Sequence, residues 1–398
     1  MNISNLDLWV RKKEGLDRLT REDIENIQLR KLNCLLEKEK LRGGFYKDLP
    51  GRLNTLQELS GLPFTTEEDL KRHGNQMVLI SQSAIDRVRT QETSGTTGQA
   101  KRLYYSSEDN DRTVSFFAAG LSELVHPGDK TMICMPFTGG RGLGELIAEA
   151  IEKLGATPLA VGIGKNYGEL MHILASERPE TFVGMPVPLL SLLRLCPGNS
   201  LKRALVSADA CPDTVMEQIE GLLGTKLYPH YGSRELGLGG AVTCPAFEGM
   251  HLRENDIIPE IIDQEGHVLP RGEWGELVIT TVQAEAMPLI RYRTGDRTRI
   301  LKEDCPCKSS LCRLDRLTRQ GGKNTMEKLD DLLFSFSNIV DFKAALKDGV
   351  LQIEGYVKDI CSGLPEELEG YPVQYQWFKV KKEHAPCYLA KRRVSEEA

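Results

Sequence analysis

The chain has 398 residues, 40% of them hydrophobic, and a formal net charge of −6. That is enough apolar content for one large core and a smaller one, and the acidic balance argues against a nucleic-acid partner, whose phosphates reward clustered Lys and Arg. No apolar run reaches the roughly eighteen residues that span a bilayer, and an N-terminus bearing Asp7, Arg11, Lys12, Lys13 and Glu14 lacks a signal-peptide core, so a cytoplasmic protein with no membrane partner is expected.

Taken in order, Thr20 followed by Glu22 and Asp23 reads as a helix start, with Ile24, Ile27, Leu32, Leu35 and Leu36 as its apolar face and Gly43-Gly44 as its end. A second start lies at Thr66 with Glu67, Glu68 and Asp69. Then comes Thr93-Ser94-Gly95-Thr96-Thr97-Gly98-Gln99-Ala100-Lys101-Arg102. Small hydroxyl residues and glycines followed by a basic pair make a loop whose amides and hydroxyls can cradle phosphate. It is not a Walker A loop, which needs Gly-Lys-Ser/Thr at its end.

Beyond it the pattern alternates short apolar runs with helical stretches, the signature of strands crossed over by helices. Strands are expected at 132–135, 159–161, 182–184, 204–206 and 226–228, with helices at 145–154, 187–195 and 213–223. Ligands of such sheets collect beyond the carboxyl ends of the strands, which points to the loops 136–144, 162–165, 184–186, 207–211 and 230–235. From Ile257 the texture is that of a smaller antiparallel sheet, including 276–280. Past Asp315 a helix at 326–334 and strands at 340–346, 350–356 and 373–380 form a separate unit, with Asp348-Gly349 as a hairpin turn.

Ten cysteines in a large chain of this kind read as core thiols or metal ligands. Cys244 and His251 are separated by six residues, and Cys305-Pro306-Cys307 follows after the small sheet. Two close pairs of thiol and imidazole ligands match a closed, tetrahedral zinc site. Cys312 offers a fifth candidate.

The stretch from Thr93 to Lys101 resembles the phosphate loop of the adenylate-forming enzymes, the acyl- and aryl-CoA synthetase superfamily, in its phenylacetate-CoA ligase branch. Three further stretches are similar to that family's in the same order: Tyr231-Gly232-Ser233-Arg234-Glu235, Tyr292-Arg293-Thr294-Gly295-Asp296 and Arg313-Leu314-Asp315. The resemblance implies an α/β fold: a large ATP- and acid-binding domain over 1–314, with mixed sheets flanked by helices and a small antiparallel sheet, and a small mobile α+β domain over 315–398. It implies activation of a carboxylic acid, with an aromatic acid as one candidate and its identity open, by ATP and Mg²⁺ to an acyl-adenylate, followed by transfer to coenzyme A. A homodimer is compatible with it.

By the same resemblance Thr93, Ser94, Gly95, Thr96, Thr97, Gly98 and Lys101 hold the β- and γ-phosphates. Tyr231, Gly232, Ser233 and Arg313 belong to the nucleotide site, Glu235 binds Mg²⁺ and Asp296 accepts hydrogen bonds from the ribose. Lys391, in a terminal segment where Ala390 replaces the usual Gly, corresponds to the lysine brought to the adenylate when the small domain turns about Asp315. Arg234 departs from the pattern, which has Thr or Ser: a guanidinium there either grips phosphate or pairs with a carboxylate. Two other readings stay open, an adenylyltransferase acting on a cofactor hydroxyl and a non-catalytic nucleotide-binding protein.

Overall fold

Helices of the N-terminal region begin where a side-chain oxygen takes up a free backbone N–H. In the computed structural model, which describes residues 3–91, 100–319, 325–359, 363–380 and 394–396, Thr20 and Asp23 exchange the two bonds of a capping box at the head of Arg21–Arg42. Thr66 with Asp69, and Ser106 with Asp109, do the same for Glu67–His73 and Ser107–Leu121. The long helix stops at Gly43, whose φ of 72° is the left-handed conformation that a side chain would strain.

Packing divides the chain into two compact units, each built from two stretches: 1–123 with 230–320, and 124–229 with 321–398. In the first, four strands, Ile257–Ile262, Gly275–Thr281, Tyr292–Thr298 and Thr318–Arg319, form an antiparallel sheet in that order. The core joins Leu32, Leu35 and Leu36 of the long helix to Ile257, Ile261, Leu277 and Ile279 of the sheet. Arg87–Gln91 pairs antiparallel with Lys101–Tyr105, so the phosphate-loop sequence is carried on a hairpin stem closed by Gln91 opposite Lys101.

One side chain of this core works against its burial. Glu39 is fully buried, and neither carboxylate oxygen has a hydrogen-bond partner among the described residues. Burial pushes its carboxyl up to about 7 against the pull of Arg42. Between the ordinary glutamate value and pH 7 the folded chain therefore holds a proton that the unfolded chain has released, so stability falls as pH rises through that window. Glu39→Gln is expected to match the parent near pH 4 and to exceed it by roughly 3 kcal/mol at pH 8. Urea unfolding at the two pH values checks this.

The second unit contains the expected crossover pattern. Parallel strands lie in the order Arg203–Val206, Thr181–Gly184, Lys130–Cys134, Thr157–Ala160, with helices Leu143–Lys153, Tyr167–Glu177, Pro186–Leu195 and Asp213–Leu223 between and after them. The same unit includes the C-terminal stretch: helix Thr325–Phe334 and a sheet ordered Glu367–Leu368, Tyr371–Lys379, Val350–Val357, Ile339–Lys347, Val394–Glu396. Asp348 (φ 49°) and Gly349 (φ 74°) make the predicted hairpin turn, both left-handed as that turn requires. Val394–Glu396 pairs parallel with Ile339–Lys347.

The packing therefore divides the chain differently from the expected 1–314 and 315–398. Leu329, Leu333, Phe334, Phe342 and Ile353 share one apolar core with Leu170, Leu189, Leu192 and Ile219. Arg194 fastens the two stretches, its guanidinium donating to the carbonyls of Phe334, Phe336 and Ile339 and to Gln218. Ser191 adds a bond to Val340 O at 2.6 Å, and the Tyr167 hydroxyl one to Asp341 at 2.8 Å.

Candidate active site and metal centre

The candidate site is assembled in the first unit at the base of the phosphate-loop hairpin. Lys101 opens the strand Lys101–Tyr105 with its side chain buried, and its Nζ lies 2.5 Å from Glu235 Oε1 and 4.0 Å from Glu67 Oε2. The Tyr292 hydroxyl donates to the same Glu235 oxygen at 3.4 Å. Burial pushes the Glu235 carboxyl up, but the Lys101 ammonium outweighs it and holds the group below the ordinary glutamate value. The Glu235 carboxylate is thus kept ionised in a buried place where an unpaired charge would be costly.

A tight turn presents the glutamate. Leu236 and Leu238 N–H both donate to Ser233 O, at 3.2 and 2.7 Å, and a Cβ at Gly232 would lie 2.0 Å from the Leu238 carbonyl oxygen, so only glycine fits. Ahead of the turn, Tyr231 ends the strand Tyr228–Tyr231, and its hydroxyl donates to Asp296 Oδ2 at 2.8 Å. The structure thus brings Lys101, Glu235 and Tyr292 together, and Tyr231 with Asp296.

Arg234 pairs with no carboxylate in the contacts described. Its Nη1 donates to Thr90 O at 3.1 Å, on the strand that leads into the phosphate-loop sequence, and its own carbonyl accepts from the Tyr105 hydroxyl. Arg313 is buried and donates to the carbonyls of Glu248 and Glu303. Asp315, two residues on, pairs with Arg299 at 2.8 Å. Thr93, Ser94, Gly95, Thr96, Thr97, Gly98 and Lys391 lie outside the described residues.

A candidate metal centre lies in the same unit. Cys244, His251, Cys305 and Cys307 are all buried, with their ligand atoms within 4.8 Å of one another. Cys244 Sγ is 3.7 Å from Cys305 Sγ, and Cys307 Sγ is 3.3 Å from His251 Nε2. Two thiolates held at about 2.3 Å by a tetrahedral zinc stand roughly 3.7 Å apart, so the donor set and its spacing fit that ion. Strand pairing builds the group: His251 sits opposite Val242 on one side and Arg313 on the other, which draws in Cys244 just past the first strand and the loop before the second.

His251 Nδ1 lies 3.1 Å from Leu311 O, a second contact that orients the ring and directs Nε2 to the thiols. Burial alone would lower this imidazole, but hydrogen bonds to Cys305 and Cys307 hold it up at about 9. Cys307 is lowered by its hydrogen bonds to Cys244 and His251, against burial. Cys312 stands outside the group: its N–H donates to Glu254, and burial raises its thiol far above the ordinary value.

Sequence reasoning left three contacts unread: the direct Lys101–Glu235 pair, the Tyr231–Asp296 bond and the Arg234–Thr90 tie. The motifs flagged the residues, and only their packing showed which ones meet.

The buried Lys101–Glu235 pair at the stem of the hairpin, and the Tyr231–Asp296 pair, are the two groupings that the fold makes of the motif residues. Comparison with known proteins carries this further. The family model described as AMP-binding enzyme matches residues 65–285. Phenylacetate-coenzyme A ligase of Thermus thermophilus is 30% identical over 73% of this chain and 69% of its own length, and that of Escherichia coli is 28% identical over 77% and 69%. A solved 2-hydroxyisobutyryl-CoA ligase, in the postadenylation state with an adenylate, superposes with a TM-score of 0.75 over 94% of this chain and 89% of its own, at 16% identity, a likeness of fold. The chain belongs to the AMP-binding enzyme family, in its phenylacetate-CoA ligase-like branch, and is an AMP-forming acid–thiol ligase in class. No helix among the described residues is long and apolar enough to cross a membrane.

Proposed function

We propose that this chain activates a carboxylic acid, an aromatic one as in the phenylacetate-coenzyme A ligases it matches, with ATP and passes the acyl group to coenzyme A. A carboxylate oxygen attacks the α-phosphorus, the bond to the β-phosphate oxygen breaks and pyrophosphate leaves. The thiolate of coenzyme A then attacks the acyl carbonyl and AMP leaves. The observation that carries this reading is the buried Lys101–Glu235 pair at the foot of the phosphate-loop hairpin.

In this reading Lys101 and the hydroxyls and amides of the 93–98 loop meet the β- and γ-phosphates, where charge develops as pyrophosphate departs. Glu235, once Lys101 has turned to phosphate, holds Mg²⁺, which supplies charge neutralisation there. Asp296, already accepting from Tyr231, takes the ribose hydroxyls. Arg234 steadies the hairpin stem through Thr90. Lys391 acts in adenylation only, and Asp315 is the pivot of a small C-terminal domain beginning at 315, whose turning requires 321–398 to part from the core it shares with 124–229. The acid lies beside the loop 136–144, where the Phe137 ring is packed so closely on Gly144 that a Cβ there would stand 2.6 Å from it. The Cys244–His251–Cys305–Cys307 group holds one structural Zn²⁺ that braces the strands of the first unit and takes no part in the chemistry. A cytoplasmic location and a homodimer complete the proposal.

Acid-dependent exchange of labelled pyrophosphate into ATP, across a panel of aryl and arylacetic acids, tests the reading. Exchange with at least one acid and formation of its CoA thioester support it, whereas ATP binding without exchange for any acid overturns it. Asp296→Ala is expected to weaken nucleotide binding by roughly 1.5–3 kcal/mol, the scale of a charge-assisted hydrogen bond. Titration of the variant with AMP measures this, and an unchanged affinity would remove Asp296 from the ribose site.

A further inference from the structure

The turn that presents Glu235 is held by side chains from outside it. The carbonyl of Arg234 accepts from the Tyr105 hydroxyl, that of Leu236 from the Arg253 guanidinium, and that of Gly237 from the Thr113 hydroxyl at 2.7 Å. Thr113 lies on the helix Ser107–Leu121 and is 2% exposed. One turn further along that helix, the Phe116 ring fills the place a side chain would take at Gly239, where a Cβ would stand 2.5 Å from it and 2.9 Å from Phe117. The Arg253 guanidinium lies over the same Phe116 ring, 5.3 Å from its centre.

The helix is itself fixed on both sides. Trp9 Nε1 donates to Ser115 Oγ at 2.8 Å and sets its ring edge against Phe116, 6.2 Å between centres. Gly120 is packed so closely on Val242, just past the turn, that a Cβ there would stand 3.2 Å from it. These side chains grip backbone, whereas the Glu235 carboxylate itself meets Lys101 and the Tyr292 hydroxyl. When Lys101 turns to phosphate the shorter of those two contacts is lost, and the aim of Glu235 then depends on the stiffness of the turn that carries it.

We propose that Thr113 is a positioning residue for Glu235, fixing through the Gly237 carbonyl the direction in which that carboxylate points when it holds Mg²⁺. The proposal rests on the ligase reading above, which gives Glu235 that role. Thr113 Oγ1 also lies 3.1 Å from Asp109 O in its own helix, but the bond to Gly237 is the shorter, and without the hydroxyl the Gly237 carbonyl loses this donor. A buried acceptor left in that state favours a rearranged turn over the native one. Outer groups that orient a metal ligand typically change metal affinity by about tenfold or more when removed.

The test compares the full-length parent, Thr113→Val and Thr113→Ser by amide hydrogen exchange and by the Mg²⁺ dependence of pyrophosphate exchange. The amides of Leu236, Leu238 and Gly240 donate within the turn and its close, to Ser233 O and Tyr231 O, so they report on it directly. Thr113→Val is expected to speed their hydrogen exchange without speeding that of the helix Arg21–Arg42, and to raise the half-saturating Mg²⁺ concentration about tenfold with the KM for the acid unchanged. Thr113→Ser, which keeps the hydroxyl, should restore both. A lowered melting temperature with unchanged turn amides and unchanged Mg²⁺ dependence, or an equal loss in Thr113→Ser, overturns the proposal. If Thr113→Val does not fold, Phe116→Leu, which loosens the contact on Gly239, is judged by the same two readouts. Absence of acid-dependent exchange in the parent would count against the ligase reading, and the amide comparison would still decide whether Thr113 fixes the turn.

Discussion

Lys101→Met is expected to cost about 3–5 kcal/mol of stability in the nucleotide-free protein, because it leaves Glu235 as an uncompensated buried charge. The partners are 2.5 Å apart with side chains 5% and 9% exposed, so little solvent screening softens the loss. Glu235→Gln should destabilise for the mirror reason. The double variant Lys101→Met/Glu235→Gln should recover most of the loss, since replacing both charges removes the desolvation cost together with the attraction. Urea unfolding of the four proteins closes the cycle, and additive single effects would mean that the two side chains do not interact. All three variants should be inactive in pyrophosphate exchange, because stability can be restored without restoring groups that must meet phosphate and metal.

Removal of zinc is expected to have the second large effect. Protein purified without added metal should carry about one zinc per chain, and Cys305→Ser should carry none. Closed thiolate sites contribute roughly 10–16 kcal/mol of apparent metal-binding free energy in peptides, a magnitude comparable with the whole stability of a domain. The loop that bears Cys305 and Cys307 is also tied to the N-terminal region: Ser309 donates to buried Asp7 at 2.7 Å, and Ser310 to Leu19 O at 2.8 Å. Chelation should therefore speed hydrogen exchange first in Met250–Leu252 and in residues 5–14, and later in the hairpin Arg87–Gln91 with Lys101–Tyr105. Folded, fully reduced protein that contains no metal would sink the zinc assignment.

Legibility from sequence followed the range of the interactions. The capping boxes at Thr20 and Thr66 each join residues three apart, so their chemistry is written in adjacent letters. The left-handed turn at Asp348-Gly349 and the crossover alternation are equally local. The metal group spans 64 positions, 244–307, yet it was readable because thiols and imidazole in two close pairs have few other uses. The Val394–Glu396 strand was missed because a short stretch after Lys391-Arg392-Arg393 has no period of its own, and only its partner strand makes it one.

By itself the sequence determined the class of elements and, through its motifs, the family, and it singled out the residues proposed for phosphate, ribose and zinc. Tertiary structure alone decided which of those residues meet. Lys101 and Glu235 are 134 positions apart and Tyr231 and Asp296 are 65 apart, and no pattern along the chain records such a contact. It also decided that 321–398 shares a core with 124–229, where Arg194 reaches the carbonyls of Phe334, Phe336 and Ile339, and that Arg234 donates to the carbonyl of Thr90. The physical reason is the same in each case: local propensity depends on neighbours in sequence, whereas burial and charge pairing depend on neighbours in space, which exist only once the chain has folded.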